Sequence, residues 1–204
     1  MRKLLVFDVE TGGLDPTQHP LLSIGMVLWH DGAIVDRISI IVNEGREMFE
    51  RATPEALKIN GMTWERIERE GVSVVQAYNE IKCFLLRRNL WQKRVTLAGH
   101  NVAFDIGFLK RLWSLVGGEA EYRTVFSHRS LCTQTLAVSL ELAGRVSWKS
   151  TGLDALTKYF GIEVRANGGK HDSLEDAVAT AKLFNELLKF IRDPHKPSPE
   201  NSVE

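Results

Sequence analysis

The sequence predicts an α/β domain: a mixed β-sheet with helices on its faces. Three observations carry this. The first third of the chain holds apolar runs of strand length, an Asp-Gly dipeptide separates two of them, and from residue 53 onward the hydrophobic period lengthens to that of helices. Strands first, then strand and helix in alternation, is the order such a sheet requires.

Taken in order, residues 3–9, 21–29 and 33–42 read as strands. Asp31-Gly32 between the last two favours a two-residue hairpin, because both turn positions tolerate positive φ. Pro54 marks a helix start, with short helical segments to Ile59 and from Thr63 to Glu70, and a longer one from Ser73 to about Leu90. Residues 95–98 form a short buried strand that leads into a helix over 102–116. After a connection without clear pattern come helices over 133–142 and 153–160, and a last long helix over 173–191. Residues 1–192 therefore form the expected domain. The tail, 193–204, has three prolines and little apolar content and is expected to be disordered.

Composition narrows the function. The chain has 204 residues, and its 26 Lys plus Arg balance 26 Asp plus Glu, so no global field draws it to a polyanion. Any nucleic acid or anionic surface must be held locally. Cys83 and Cys132 are too few for a disulfide framework and lack metal-ligand spacing, which points to a reducing cytoplasm. The early apolar run Leu4–Phe7 leads straight into Asp8 and Glu10, unlike a secretory leader, and no window approaches the ~18 apolar residues of a membrane span.

Four carboxylates stand where a plain fold would not put them. Asp8 and Glu10 end the first strand and, by alternation, project on the face of Leu4 and Val6. Asp105 heads an apolar stripe formed by Phe108, Leu109 and Leu112, so it faces the core. Asp176 opens the last helix, where Ser173-Leu174-Glu175-Asp176 also fits a capping box with Ser173 as N-cap. His171 precedes that helix on a loop beside Gly168 and Gly169. Each feature alone has a structural explanation: a strand end, a dipole-favoured acid, a cap, a solvated histidine. Together they put four carboxylates and a histidine at the ends of elements that can converge, and converging carboxylates require cations. Oxygen ligands without clustered Cys or His suit Mg²⁺ or Mn²⁺. Two such ions clamp the attacking and leaving oxygens of a phosphodiester displacement, with a histidine as general base.

These residues resemble the DEDDh class of 3′→5′ exonucleases, the group of bacterial proofreading subunits and ribonuclease T. The likeness spans residues 3–190 and rests on three segments: Phe7-Asp8-Val9-Glu10-Thr11-Gly12-Gly13-Leu14, Gly99-His100-Asn101-Val102-Ala103-Phe104-Asp105, and His171-Asp172-Ser173-Leu174-Glu175-Asp176-Ala177. Weaker echoes are residues 56–63 and 152–156. A tyrosine-base sibling class has Tyr four residues before the last Asp, where this chain has Asp172.

The resemblance implies a ribonuclease H-like fold on a five-stranded mixed sheet with helices on both faces. It implies hydrolysis of DNA from free 3′ ends, releasing 5′-mononucleotides, with two Mg²⁺ ions per site and Mn²⁺ as substitute. Asp8, Glu10 and Asp176 would hold the ion that positions the water, Asp8 and Asp105 would share the second, and His171 would take the proton. Thr11 and Gly12 would offer backbone amides to the terminal nucleotide and Leu14 would wedge against its base; Asn101 is a further candidate contact, and of Phe104 and Phe108, which could stack on bases, Phe108 fits core packing better. His100 also stands five residues before an aspartate, so spacing alone does not choose the base. The glycine-flanked loop favours His171 and leaves His100 a structural role.

Further contacts are open: the cationic stretch Lys82, Arg87, Arg88, Lys93 and Arg94 with Trp91, or Trp148, Lys149, Arg165 and Lys170. The partner is nucleic acid with a free 3′ end, single-stranded DNA in the first place, and no membrane. An exoribonuclease of the oligoribonuclease or tRNA-trimming kind is the alternative, and an inactive nucleic-acid-binding module the rival outside enzymology. Only about a dozen residues follow Arg192, which argues against stable polymerase attachment; a homodimer stays open.

Overall fold

The computed structural model describes residues 3–164 and 169–193, so Gly168, Arg165 and the tail beyond Asp193 lie outside the described residues. The first strand, β1 (Lys3–Thr11), pairs antiparallel with β2 (Leu21–His30), which pairs antiparallel with β3 (Ala33–Asn43). The hairpin turn is the expected one, with Asp31 and Gly32 both at positive φ, 52° and 88°. On the other side β1 pairs in parallel with β5 (Val95–Gly99), and β5 with β6 (Phe126–Cys132). A two-residue strand, β4 (Val72–Ser73), joins the outer edge of β3. The sheet order is β4-β3-β2-β1-β5-β6. Six strands replace the expected five because β4 adds a short parallel pairing at the edge.

Helices fall on both faces as expected. In chain order they are α1 (Arg46–Phe49), α2 (Pro54–Asn60), α3 (Trp64–Glu70), α4 (Val74–Arg87), α5 (Val102–Leu115), α6 (Glu119–Val125), α7 (Thr133–Leu142), α8 (Leu153–Tyr159) and α9 (Ser173–Arg192). Odd positions of β1, Leu5, Phe7 and Val9, share a core with Phe84 of α4 and with Phe108, Leu112 and Trp113 of α5. Even positions Leu4 and Val6 share a second core with Ala177, Ala181 and Phe184 of α9. A strand buried on both faces reads as a continuous apolar run, which is what Leu4-Leu5-Val6-Phe7 and β2 show.

In the last helix the apolar positions Ala177, Ala181, Phe184, Leu188 and Ile191 step by four and three and predict a single stripe, from which the structure departs. Leu183, Leu187 and Phe190 pack against Ala137, Leu140 and Trp148, while Ile191 is exposed. The helix serves two cores, so its buried face is wider than a four-and-three spacing suggests.

Candidate active site

Asp8 and Glu10 lie at the end of β1 opposite Gly25 and Ser23 of β2, with a register irregularity directly after Glu10. Both neighbours are small for a reason. A Cβ on Gly25 would meet the backbone of Ser173 and Leu174 at 2.3 Å, so only glycine lets the start of α9 rest on the sheet. Ser23 Oγ lies 2.9 Å from Ser173 Oγ, and the two buried hydroxyls fix that contact. The start of α9 is thereby held beside the strand end that carries both carboxylates.

This seat corrects the expected cap. Ser173 is buried against Ser23, and the N-cap is Asp172, whose Oδ1 accepts the amides of Leu174 and Glu175 at 3.0 and 3.1 Å. Asp176, 2% exposed, points into the site. Its Oδ2 lies 3.0 Å from His171 Nδ1, and the His171 side chain remains 38% exposed. Ligand atoms of Glu10, His171 and Asp176 all lie within 4.8 Å of one another, close enough to hold one metal ion.

Asp105 comes from the other face. Gly99 ends β5 so tightly that a Cβ there would meet Phe7 O at 3.0 Å and Val102 Cγ2 at 2.9 Å, and α5 starts three residues later behind Asn101, whose φ is 59°. The first turn of α5 then delivers Asp105, 3% exposed, to β1, where Oδ1 accepts the Val9 amide at 3.1 Å. That bond places Asp105 at the residue between Asp8 and Glu10. Burial drives its carboxyl up to about 7, against the Val9 hydrogen bond that favours the charged form. The structure thus joins Glu10, Asp176 and His171 in one cluster and ties Asp105 to the Val9 amide beside it, with Asp8 two residues before Glu10 on β1.

His100 has a structural setting. Its Nδ1 lies 2.9 Å from Thr133 Oγ1, which donates in turn to Gly99 O, and burial lowers its pKa. The expected substrate contacts divide. Leu14 is 83% exposed on the loop after β1, Asn101 is exposed, and Phe104 is half-buried with its ring 5.2 Å from the core residue Phe108. Gly12 is a correction: its amide already donates to Pro20 O at 2.8 Å, so it is not on offer to a nucleotide. Thr11 is buried, and its hydroxyl donates to Gly13 O. Trp148 is another correction, a core residue whose Nε1 donates to Ala137 O. The cationic stretch is split, since Lys82 pairs with Glu121 and lies over Trp91 while Arg88 pairs with Asp36.

Two supports escaped the sequence reading. Asn60, buried at the end of α2, donates to Thr11 O at 3.0 Å and accepts from Met62 N, and the Ile59 carbonyl accepts the His171 amide at 3.2 Å. The end of α2 therefore steadies both the first carboxylate strand and the histidine loop. The echo at residues 56–63 was its signal.

The sequence pattern of the exonuclease family matches residues 5–184. The chain belongs to the exonuclease family. This bears out the resemblance to the DEDDh class. Among its relatives are the PolC-type DNA polymerase III of Listeria monocytogenes, 27% identical over 192 residues, and that of Thermotoga petrophila, 28% identical over 190. These matches take in 93% and 92% of this exonuclease-family chain but only 12% of each polymerase. Among solved structures, E. coli Exonuclease I in complex with a dT13 oligonucleotide has a TM-score of 0.75 at 18% identity, covering 95% of this chain and 42% of that one. Exonuclease I from Methylocaldum szegediense has a TM-score of 0.72 at 20% identity, covering 96% and 42%. The fold is accordingly that of the ribonuclease H-like exonucleases.

Proposed function

We propose that this chain is a metal-dependent 3′→5′ exonuclease that releases 5′-mononucleotides from DNA. The observation that carries the reading is the cluster of Glu10, Asp176 and His171 within 4.8 Å, with the buried Asp105 hydrogen-bonded to the residue before Glu10. The donor set fits two Mg²⁺ ions, with Mn²⁺ as substitute, because it is built on carboxylate oxygens. A buried carboxyl pushed up to about 7 is the group that a cation would return to its ionised form. Glu10, Asp8, Asp105 and Asp176 would hold the ions, which when bound supply charge for activating water and offsetting the phosphate. A zinc-bound form of E. coli Exonuclease I with single-stranded DNA is among the structural neighbours and supports a divalent site on this fold.

His171 takes the proton of the attacking water. Its imidazole is the exposed member of the cluster and already reaches Asp176, so one ring serves both solvent and site. Leu14, exposed on the loop after β1, would meet the terminal base, with Asn101 and Phe104 as further contacts. DNA is favoured over RNA by the polymerase relatives and by the dT13 complex of a structural neighbour. Both cysteines are free thiols, and we assign the reducing cytoplasm on that basis. Among the described residues no helix is long and apolar enough to cross a membrane.

The decisive assay incubates purified protein and Mg²⁺ with 5′-labelled single-stranded DNA, duplex DNA and RNA of one sequence. The expected products are 5′-mononucleotides and a ladder shortened from the 3′ end of the single-stranded DNA. Cleavage of a circular single strand would refute the exonuclease reading, and faster loss of RNA would replace DNA with RNA as the substrate.

A further inference from the structure

The chain carries no net charge, yet its cations are unevenly spread. Between α5, α6 and β6 runs a cleft of about 660 Å³ whose charged lining is Arg94, Lys110, Arg111, Arg123 and His128, with Glu119 as its acid. It adjoins a depression of about 550 Å³ that shares Arg94 and His128 and adds Lys3, Lys93 and Arg129 without any acid. Arg111 is neutralised by Glu44. Seven Lys and Arg thus face two carboxylates, an excess of five on one surface of a neutral chain. Charge this concentrated selects a polyanion.

One end of the cleft lies on the helix that carries Asp105, while Lys3 and Arg94 stand at the opposite ends of β1 and β5 from Glu10 and Gly99. Ile106, which lines the cleft, directly follows Asp105, and Ser130, opposite, lies two residues before Cys132, the partner of Gly99 in the sheet. From Ile106 the cleft follows α5 to Ser114. At ~1.5 Å per residue that path is about 12 Å long. Arg94, which lines both parts, adopts a left-handed φ of 49°, unusual for a side chain of that size, with its amide donating to Thr124 O at 3.3 Å. The walls carry hydroxyls at Ser114, Ser127 and Ser130, while the aromatic floor, Tyr122 and Phe126, is buried and offers no exposed ring for a base. Such a surface holds a backbone and reads no sequence.

We propose that this cleft is the track for the strand of single-stranded nucleic acid upstream of the 3′ end, its phosphates lying on Arg94, Lys110 and Arg123. This rests on the exonuclease reading for the direction of the strand, while the track itself is tested by binding alone. The probe is 5′-fluorescein-labelled dT15, titrated with the full chain in EDTA at several salt concentrations, where no turnover occurs. Single-strand binding loses about 0.7 in log K per log salt for each phosphate neutralised, so the wild-type slope should lie near −2 to −3. Lys110→Glu/Arg123→Glu should weaken dT15 binding by about tenfold or more and flatten the slope by about 1.4. Arg94→Ala, a second variant without charge reversal, should flatten it by about 0.7. With Mg²⁺, turnover of the dinucleotide dT2, too short to enter the cleft, should stay at the wild-type rate in both variants. Unchanged dT15 affinity and slope in both variants would overturn the track. So would displacement of dT15 by polyglutamate at equal charge concentration, which would make an acidic protein segment the occupant. A wild-type chain that binds dT15 through these residues yet never shortens it would leave the track standing and remove the exonuclease reading.

Discussion

Asp105→Asn isolates the electrostatic strain of the metal-free site. The carboxyl is 3% exposed, and burial lifts it from the ordinary 3.8 to about 7. The folded state therefore binds a proton more tightly than the unfolded chain. Stability from this group is complete below about pH 4 and is lost as pH rises through about 7, above which the ionised carboxylate sits buried without a cation. A lift of that size corresponds to roughly 4 kcal/mol. Asn is neutral at every pH and keeps an oxygen for the Val9 amide, but its buried NH₂ gives back about 1–3 kcal/mol where it finds no acceptor. A net gain of about 1–3 kcal/mol should remain near pH 8, raising Tm by roughly 2–4 °C per kcal/mol in a chain of this length. Thermal unfolding in EDTA across pH 4.5 to 8.5 reads it. The variant should be the more stable protein at high pH, and the difference should shrink and change sign toward pH 4, where the wild-type carboxyl is neutral and the buried Asn NH₂ keeps its cost. A variant less stable than wild type at pH 8, or a difference that ignores pH, would refute the reasoning.

Other outcomes follow from the same geometry. Millimolar Mg²⁺ or Mn²⁺ should raise the wild-type Tm, by about 2.7 kcal/mol of stability at a hundredfold excess over Kd, and should raise it less in Asp176→Asn; an unmoved wild-type Tm counts against the metal site. His171→Ala should lose about 10²–10⁴-fold in kcat and the limb of the pH profile on which kcat rises with deprotonation, with metal affinity nearly intact. His100→Ala should cost stability and keep that limb; the opposite pattern in steady-state pH profiles would reassign the base. Gly25→Ala should displace the start of α9, because its methyl group would lie 2.3 Å from the Ser173 and Leu174 backbone. Overpacking of this kind costs about 1–3 kcal/mol, and turnover should fall along with Tm; wild-type values for both would show that α9 does not depend on this seat.

How legible the molecule was depends on what each residue packs against. The central strands and the hairpin could be read because β1 and β2 are buried on both faces, leaving continuous apolar runs, and because Asp31-Gly32 satisfies a turn with two positive φ values. The outer strand β6 could not, since Phe-Ser-His-Arg-Ser-Leu-Cys lies at the sheet edge with its middle exposed and so carries no alternation. Asp105 showed itself through the stripe it heads, a local signal spaced along one helix. The seat of α9 was invisible for the opposite reason: Ser23 meets Ser173 across 150 positions, and neither serine has a neighbour in sequence that hints at the other.

The same distinction explains why the N-cap was misplaced. A serine three residues ahead of Asp176 satisfies every local rule for a cap, and so does Asp172 one residue earlier. The choice is made by the sheet. With glycine at 25, the helix backbone descends until Ser173 is buried against Ser23, which removes its hydroxyl from capping and hands that role to Asp172. The consequence reaches the chemistry: with Asp172 satisfying the amides of Leu174 and Glu175, Asp176 keeps its oxygens for His171 and for whatever cation Glu10 helps to hold. A cap and a candidate metal ligand thus stand four residues apart on one helix start, and a glycine in a different strand separates their roles.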